Sequence, residues 1–228
     1  MLNCATSARV ARAPAVAGIP VATATSAGNQ GQWLLRAEVS SAEGVGSLRL
    51  VLRRYDSTRF ALQASDALGQ VRWEIRSDRD AAVWIEPQGQ RYCRLNARLA
   101  LRTPQWVSNI PVSDIAGLLT GDWPPIDASA PPPAPQLSLP FSDAALRHFT
   151  GERAGKEWTN WTLWESGEPL IWFKRIGVES LLSVRQPAVQ IRWRVTARGN
   201  LGESVFLLMP GELSASAREI SCPENAIP

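Results

Sequence analysis

Apolar and polar residues alternate along most of the chain in stretches of about five residues. The segment "WLLRAEV" places on one side Trp33, Leu35, Ala37 and Val39. The segment "SLRLVLRR" does the same with Leu48, Leu50 and Leu52. A period of two over this length is typical of half-buried β-strands. Together with the segments "AAVWIE" and "RYCRL", the pattern predicts about six antiparallel strands before residue 100.

Residues 60–75, "FALQASDALGQVRWEI", predict a β-hairpin with an unusual tip. Ser65, Asp66 and Gly69 are residues that tight turns favour. Leu68 is not, because turn chemistry gives no reason for a leucine there. It either folds back onto a neighbouring loop or is a single exposed leucine of the kind common on protein surfaces.

Two short helices are predicted in the middle of the chain. In "NIPVSDIAGLLTGDWPP", Ser113 is expected to cap a helix that ends at Gly121. The apolar face of this helix consists of Ile115, Leu118 and Leu119. In "SDAALRHFTG", a second helix is expected from a cap at Ser142 to Gly151. Between the two helices, residues 124–140 are rich in proline and are predicted to form an irregular surface insertion.

Strand patterns return in the last third of the chain, in "WTNWTLWE", "LIWFKR", "LLSVR" and "AVQIRWRVTA". The complete pattern predicts a mainly β fold, in which a single antiparallel sheet curls into a half-open barrel around its apolar face. The tryptophans that can point inward are Trp33, Trp73, Trp161, Trp172 and Trp193. Their spacing leaves open whether they fill a core or line an apolar cavity.

Composition and hydrophobic periodicity divide the chain into three regions. Residues 1–31 are rich in Ala, Thr, Ser, Gly and Pro without a sustained period, which predicts a flexible tether. Residues 32–200 contain the strand patterns and form the predicted half-barrel domain. Residues 201–228 are a C-terminal extension in which only "VFLLM" suggests a further edge strand.

Composition and motifs indicate a binding protein rather than an enzyme. The 24 lysines and arginines are scattered and the net charge is only +3, which argues against nucleic-acid binding. The single histidine, His148, is placed on the second predicted helix, and no nucleophile, phosphate-loop, dinucleotide or CxxC motif occurs. We therefore expect no catalytic residue, no metal site and no cofactor. No run of about 18 apolar residues occurs either, so no transmembrane helix is expected.

The three cysteines lie in different contexts. Cys4, in "MLNCATS", resembles the cysteine at the end of a bacterial lipoprotein signal, although Asn3 is bulkier than usual and no apolar leader precedes it. Cys4 is therefore expected to carry a lipid; the alternative is a free thiol near the terminus. Cys93 and Cys222 could form a disulfide in an oxidising compartment, but their spacing does not establish that they meet.

The order of several segments resembles the LolB family of outer-membrane lipoprotein receptors. These segments are "QWLLRAEVSS", "RFALQASDALGQVRWEI", "IPVSDIAGLLTGDWP" and the Trp-rich strands that end in "VQIRWRVTA". The resemblance covers roughly residues 32–198. It departs from the family at Ala37, where a glycine is usual, in the long insertion at residues 124–140 and in the C-terminal extension.

The resemblance implies a lipoprotein that is anchored through Cys4 at the periplasmic face of the outer membrane. Such a protein accepts lipoproteins from the periplasmic carrier LolA, as a monomer, and transfers their acyl chains to the membrane. The residues expected to line an acyl-binding cavity under the helices are Leu50, Leu62, Val71, Trp73, Ile115, Leu118, Leu119 and Trp193. Leu68 is the residue expected to contact the membrane.

Two alternatives stay open at this stage. One is a structural or assembly lipoprotein that uses the same fold as a protein-interaction module, with its interior filled by tryptophans. The other is an unanchored carrier of the LolA type.

Overall fold

The structure is a computed structural model, and the fold is described for residues 30–56, 58–88, 90–98, 100–103, 106–123, 137–140, 147–154, 157–185, 188–202, 206–209 and 217–222. The strands of the first half are β1 (Gly31–Ser41), β2 (Gly44–Arg54), β3 (Arg59–Ser65), β4 (Val71–Asp78), β5 (Ala81–Glu86), β6 (Arg91–Asn96), β7 (Ala100–Thr103) and β8 (Trp106–Pro111). Those of the second half are β9 (Leu137–Pro140), β10 (Arg147–Ala154), β11 (Glu157–Glu165), β12 (Glu168–Ile176), β13 (Glu179–Val184), β14 (Val189–Gly199) and β15 (Arg218–Glu219). A 3₁₀ turn (Val112–Asp114) leads into helix α1 (Ile115–Thr120).

One open sheet contains all of these strands except β7 and β8, which form a separate hairpin. Its order is β15-β6-β5-β4-β3-β2-β1-β14-β13-β12-β11-β10-β9. Every neighbouring pair is antiparallel apart from the short β15, which joins β6 in parallel. The mainly β, curled-sheet prediction is confirmed, and β1 to β6 are the six strands expected before residue 100. The two halves of the chain meet where β1 pairs with β14.

The sheet buries one face, as the alternation predicts. Along β14, Val189, Ile191 and Trp193 are buried while the intervening residues are exposed. Trp172 was expected to point inward, but this expectation is wrong. It lies between the buried Ile171 and Phe173 on β12, so the strand period turns its side chain outward.

Within the described residues, one of the two predicted helices is present. Residues 147–150, placed in the second helix by the sequence pattern, belong instead to β10, so His148 is a strand residue. Phe149 and Gly151 both lie on the buried side of this strand, and the tryptophans of β11 pack closely over the glycine. A Cβ atom added at Gly151 would lie 2.7 Å from Trp161 Cβ and 2.8 Å from the Trp158 ring. Pairing with β11 therefore overrides the local helical pattern.

The N-terminal cap of α1 also differs from the prediction. Ser113 lies inside the 3₁₀ turn, and the residue at the cap position is Asp114, which makes no side-chain capping hydrogen bond. The C-terminus ends as expected at Gly121, whose φ of 87° is a left-handed conformation that glycine adopts without strain.

Part of the C-terminal extension joins the edge of the sheet. Arg218 and Glu219 pair with Arg91 and Tyr92 of β6. Cys93 and Cys222 are linked by a disulfide, with their Cα atoms 5.1 Å apart. The described part of "VFLLM", residues 206–209, is not a strand. The edge strand of this extension is thus β15, which the disulfide holds against β6.

Candidate functional site

The inner face of the sheet and helix α1 form one continuous hydrophobic cluster. It contains seven of the eight residues expected at an acyl-binding site, namely Leu50, Leu62, Trp73, Ile115, Leu118, Leu119 and Trp193. The eighth, Val71, is half-exposed and lies outside the cluster. A register shift between β3 and β4 at Ala64/Ser65 accompanies the departure of Val71 from the inward pattern. The structure therefore brings together residues from β2, β3, β4 and β14 under one short helix.

Helix α1 lies with its apolar face on the sheet. Ile115, Leu118 and Leu119 are all at most 2% exposed. The indole Nε1 of Trp193, on β14, donates a 3.4 Å hydrogen bond to the backbone carbonyl of Leu119. A six-residue helix is too short to be stable alone, so packing against the sheet must supply its stability.

Arg54, at the end of β2, anchors the C-terminal end of α1. Its Nη1 donates to Asp122 Oδ2 at 2.6 Å and to Thr120 Oγ1 at 3.1 Å. The Arg54 side chain is only 8% exposed, whereas that of Asp122 is 54% exposed. A guanidinium removed from water needs such partners, because an unpaired buried charge is strongly destabilising. No local pattern indicates this contact, because its partners are more than sixty residues apart along the chain.

A row of aromatic rings continues the cluster beyond the helix. Trp123, just after α1, packs edge-on against Trp161 at 5.0 Å and against Phe149 at 5.1 Å between ring centroids. Trp161 stacks on Phe173 at 5.4 Å, and Phe173 lies 5.9 Å from Trp193. The Nε1 group of Trp161 is buried and has no hydrogen-bond partner among the described residues. Trp123 is not among the residues predicted from the sequence, and Phe149 is predicted on the apolar face of the second helix rather than in a strand.

The carboxyl group of Asp114 lies half-buried at the start of α1. Burial raises the pKa of this group, and hydrogen bonds from Trp123 and Ser113 oppose the rise. The Ser113 hydroxyl is 3.2 Å from Asp114 Oδ1. Ionisation of Asp114 therefore costs more free energy in the folded chain than in the unfolded chain. The resulting decrease in the free energy of unfolding is complete at pH values above the raised pKa.

The tip of the β3–β4 hairpin is organised around Asp66. Its Oδ1 accepts hydrogen bonds from the backbone N–H groups of Leu68 at 2.9 Å and Gln70 at 3.0 Å, and its Oδ2 accepts from Arg72 at 2.6 Å. Although desolvation opposes the change, these bonds lower the pKa of Asp66. Gly69 has a φ of 81°, which completes the turn. The Leu68 side chain is left 84% exposed, so it does not fold back onto a neighbouring loop.

Two residues singled out from the sequence, Cys4 and Ser142, lie outside the described residues. No helix in the described part of the chain has the length and apolar character of a membrane span. Over the same residues, no group of three or more His, Cys, Asp and Glu side chains is placed to hold a metal ion.

Comparison with known proteins relates the chain to others by its fold. No protein-family model and no curated protein matches the sequence. A LolA superfamily protein from Nitrosomonas europaea superimposes with a TM-score of 0.51 and 11% identity, over 77% of this chain and 88% of that one. The chain has a LolA-type fold.

Two further solved structures match less closely. An outer membrane lipoprotein-sorting protein domain from Vibrio parahaemolyticus has a TM-score of 0.48 and 8% identity, over 77% of this chain and 87% of that domain. A DUF1329 family protein from Desulfovibrio piger has a TM-score of 0.44 and 7% identity, over 78% and 88%. At such identities the LolA-type fold is what the comparison establishes, and it does not distinguish the LolB family from others that share this fold.

Proposed function

We propose that the chain binds the acyl chains of lipoproteins between α1 and the inner face of the sheet, and transfers them to the outer membrane. The observation that carries this proposal is the continuous apolar cluster shared by the open sheet and a helix too short to be stable without it. The LolA-type fold supports it, because the Nitrosomonas europaea protein that shares this fold belongs to the superfamily of the lipoprotein carrier LolA. The proposal requires no catalytic group.

The energetics of such a site allow both uptake and release. Lifting α1 exposes Ile115, Leu118 and Leu119, at a cost of about 1.5 to 3 kcal/mol for each side chain, or about 5 to 9 kcal/mol in total. Burying about eight methylene groups of an acyl chain contributes about 6 kcal/mol in return. Because gain and cost are similar, a chain can replace the contacts of the helix without becoming trapped.

Delivery to a membrane would use the hairpin tip. Leu68 projects from a turn that Asp66 holds in place, so the side chain is presented to the surroundings at little further ordering cost. We place the protein at the periplasmic face of the outer membrane, anchored through Cys4, with a LolA-type carrier as its donor. Mass spectrometry of the protein from its native host tests the anchor: an acylated Cys4 supports it, and an unmodified thiol points to an unanchored carrier.

Displacement of a fluorescent fatty-acid probe tests the binding step. The delipidated protein is titrated with the probe, and unlabelled acyl chains or a triacylated peptide are then added. Binding in the apolar cluster predicts competitive displacement by both. No saturable binding of any apolar ligand by the folded protein would rule out acyl-chain binding.

A second candidate function is a structural or assembly module that binds protein rather than lipid. The observation that favours it is the close aromatic packing of Trp123, Phe149, Trp161 and Phe173, which fills this part of the interior. The same titration discriminates the two candidates, because a module with a filled interior has no saturable site for the probe.

A further inference from the structure

The face of the sheet opposite the apolar cluster carries a groove rich in arginine. It has a volume of about 410 Å³ and lies over β1, β2 and β14, between the β3–β4 tip and the start of β13. Its charged lining consists of Arg36, Arg49, Arg192, Arg194, Glu38 and Glu179. Four arginines face two glutamates, so the groove carries an excess of positive charge. A concave site lined mainly by one sign of charge concentrates counter-ions of the opposite sign.

Three of these arginines lie side by side across neighbouring strands. Arg36 on β1 pairs directly with Arg194 on β14 and with Arg49 on β2. Residues in direct register have Cβ atoms about 4.5 to 5.5 Å apart, and like charges at such positions repel each other. A sheet has no structural need for this arrangement, since other polar side chains would be as well solvated.

The arginines of the groove are also without ion-pair partners. Many arginines elsewhere in the described chain pair with carboxylates, such as Arg72 with Asp66 and Arg76 with Glu74. Within the described ranges, none of Arg36, Arg49, Arg192 and Arg194 forms an ion pair or a side-chain hydrogen bond. Their guanidinium groups are therefore available to a ligand.

We propose that this groove binds a phosphate group, and that the source of the phosphate is the headgroup of an anionic lipid. Guanidinium groups in a row match the several oxygens of a phosphate, to which they donate paired hydrogen bonds. A bound phosphate would also relieve the repulsion between the three neighbouring arginines. Only the choice of a lipid headgroup as the source rests on the proposed delivery function.

The position of the groove supports a lipid source. Ala67 lines the groove, and the next residue is the exposed Leu68. A membrane in contact with this hairpin tip would receive the leucine side chain in its apolar region and present its phosphates to the arginines beside the tip. The two features would then act together, since basic residues strengthen the attachment of apolar side chains to anionic membranes.

Vesicle binding by the full-length chain tests the groove. The substitutions are Arg36→Gln with Arg49→Gln, and the matched control is Arg53→Gln with Arg198→Gln. Arg53 lies four residues along β2 from Arg49 and Arg198 lies four residues along β14 from Arg194, each about 13 Å away. Both are outside the groove, and the bulge opposite Leu34 and Leu35 turns Arg198 away from the face that carries it. The control thus removes the same charge outside the groove. Thermal unfolding should show that both variants are folded, and the groove variant should be no less stable than the parent because two neighbouring like charges are gone.

Binding to phosphatidylcholine vesicles with and without phosphatidylglycerol gives the expected result. The groove variant should lose about fivefold in affinity for each arginine removed, only on vesicles with phosphatidylglycerol, and the control should lose much less. Equal losses in both variants would overturn the proposal, because general charge would then explain binding. Loss in neither would overturn it as well.

Titration with inorganic phosphate and glycerol phosphate separates the two sources. In one outcome, the parent protein binds phosphate saturably, the groove variant does not, and the parent shows no preference for phosphatidylglycerol vesicles. The groove would then be a phosphate site for a dissolved ligand, and the lipid source would be overturned. Displacement of the fatty-acid probe is measured in parallel. If the probe is not displaced but the groove substitutions still weaken phosphate and vesicle binding, acyl-chain binding is contradicted and the groove proposal stands. If the probe is displaced but the groove substitutions change neither phosphate nor vesicle binding, only the present inference is overturned.

Discussion

Replacement of Leu68 by glutamate should impair transfer to membranes without affecting the fold. The side chain is 84% exposed, and the turn around it is held by Asp66 and Gly69 rather than by the leucine. Transfer of a fully exposed leucine side chain from water to an apolar environment contributes about 1.5 to 3 kcal/mol. Because the Leu68 side chain is 84% exposed before insertion, its transfer into the membrane contributes about 1.3 to 2.5 kcal/mol. This corresponds to about 9- to 70-fold in membrane affinity. The loss in Leu68→Glu should be at least this large, because a carboxylate also resists insertion.

The assay follows a fluorescent acylated peptide from the protein to phosphatidylglycerol-containing vesicles. A matched control is Leu207→Glu, since the Leu207 side chain is also exposed, by 51%. Leu207 lies beside β4, where its backbone oxygen accepts a hydrogen bond from Arg76, and it belongs neither to the hairpin tip nor to the groove. Leu68→Glu should reduce transfer and vesicle affinity while probe binding and urea stability stay unchanged, and Leu207→Glu should leave all four unchanged. Equal effects of the two variants, or a loss of stability in Leu68→Glu, would refute the role of the hairpin tip.

Three further predictions concern the site and its support. Gly151→Ala should destabilise the chain by about 1 to 3 kcal/mol in urea unfolding, because the new Cβ would lie 2.6 Å from the backbone oxygen of Asn160; Gly199→Ala, with open space around it, should not. Asp122→Asn should weaken the anchor of α1 by about 1 kcal/mol, a value reduced because Asp122 is half-exposed, and should speed probe entry in stopped-flow mixing. The parent should lose stability as the pH rises above 3.8 and through the raised pKa of Asp114, and Asp114→Asn should abolish this loss. Unfolding at several pH values measures the effect, and the same pH profile in parent and variant would contradict this role of Asp114.

The strand pattern of the sequence was sufficient to predict the sheet, because one buried face imposes a period of two. Leu35, Ala37 and Val39 on β1 illustrate this, as all three are buried and alternate with the exposed Arg36 and Glu38. The residues of the candidate site were predictable for the same reason, since inward positions of strands and one apolar helix face must meet in a common core. Val71 was the exception, because a register shift cannot be read from a single strand.

Features that depend on pairing between distant segments were not predictable. Phe149 and Gly151 fit a helix locally, and only the contact with β11 reveals them as strand residues. The arginines of the groove have a similar explanation. Arg36, Arg49 and Arg194 each look like an ordinary solvated position, and their alignment depends on the register of three strands. The anchor formed by Arg54 and Asp122 spans 68 residues and has no local signature.

Photolabelling with an acyl chain that carries a diazirine tests acyl-chain binding most directly, because it needs no substitution in the protein. The labelled residues are identified by mass spectrometry after irradiation of the folded complex. Binding between the helix and the sheet predicts adducts on α1, at Leu118 and Leu119, and on inner-face residues such as Leu62 and Trp193. Adducts confined to the outward-facing Trp172, Ile176 and Val178, or no adduct that unlabelled acyl chains can suppress, would contradict the account.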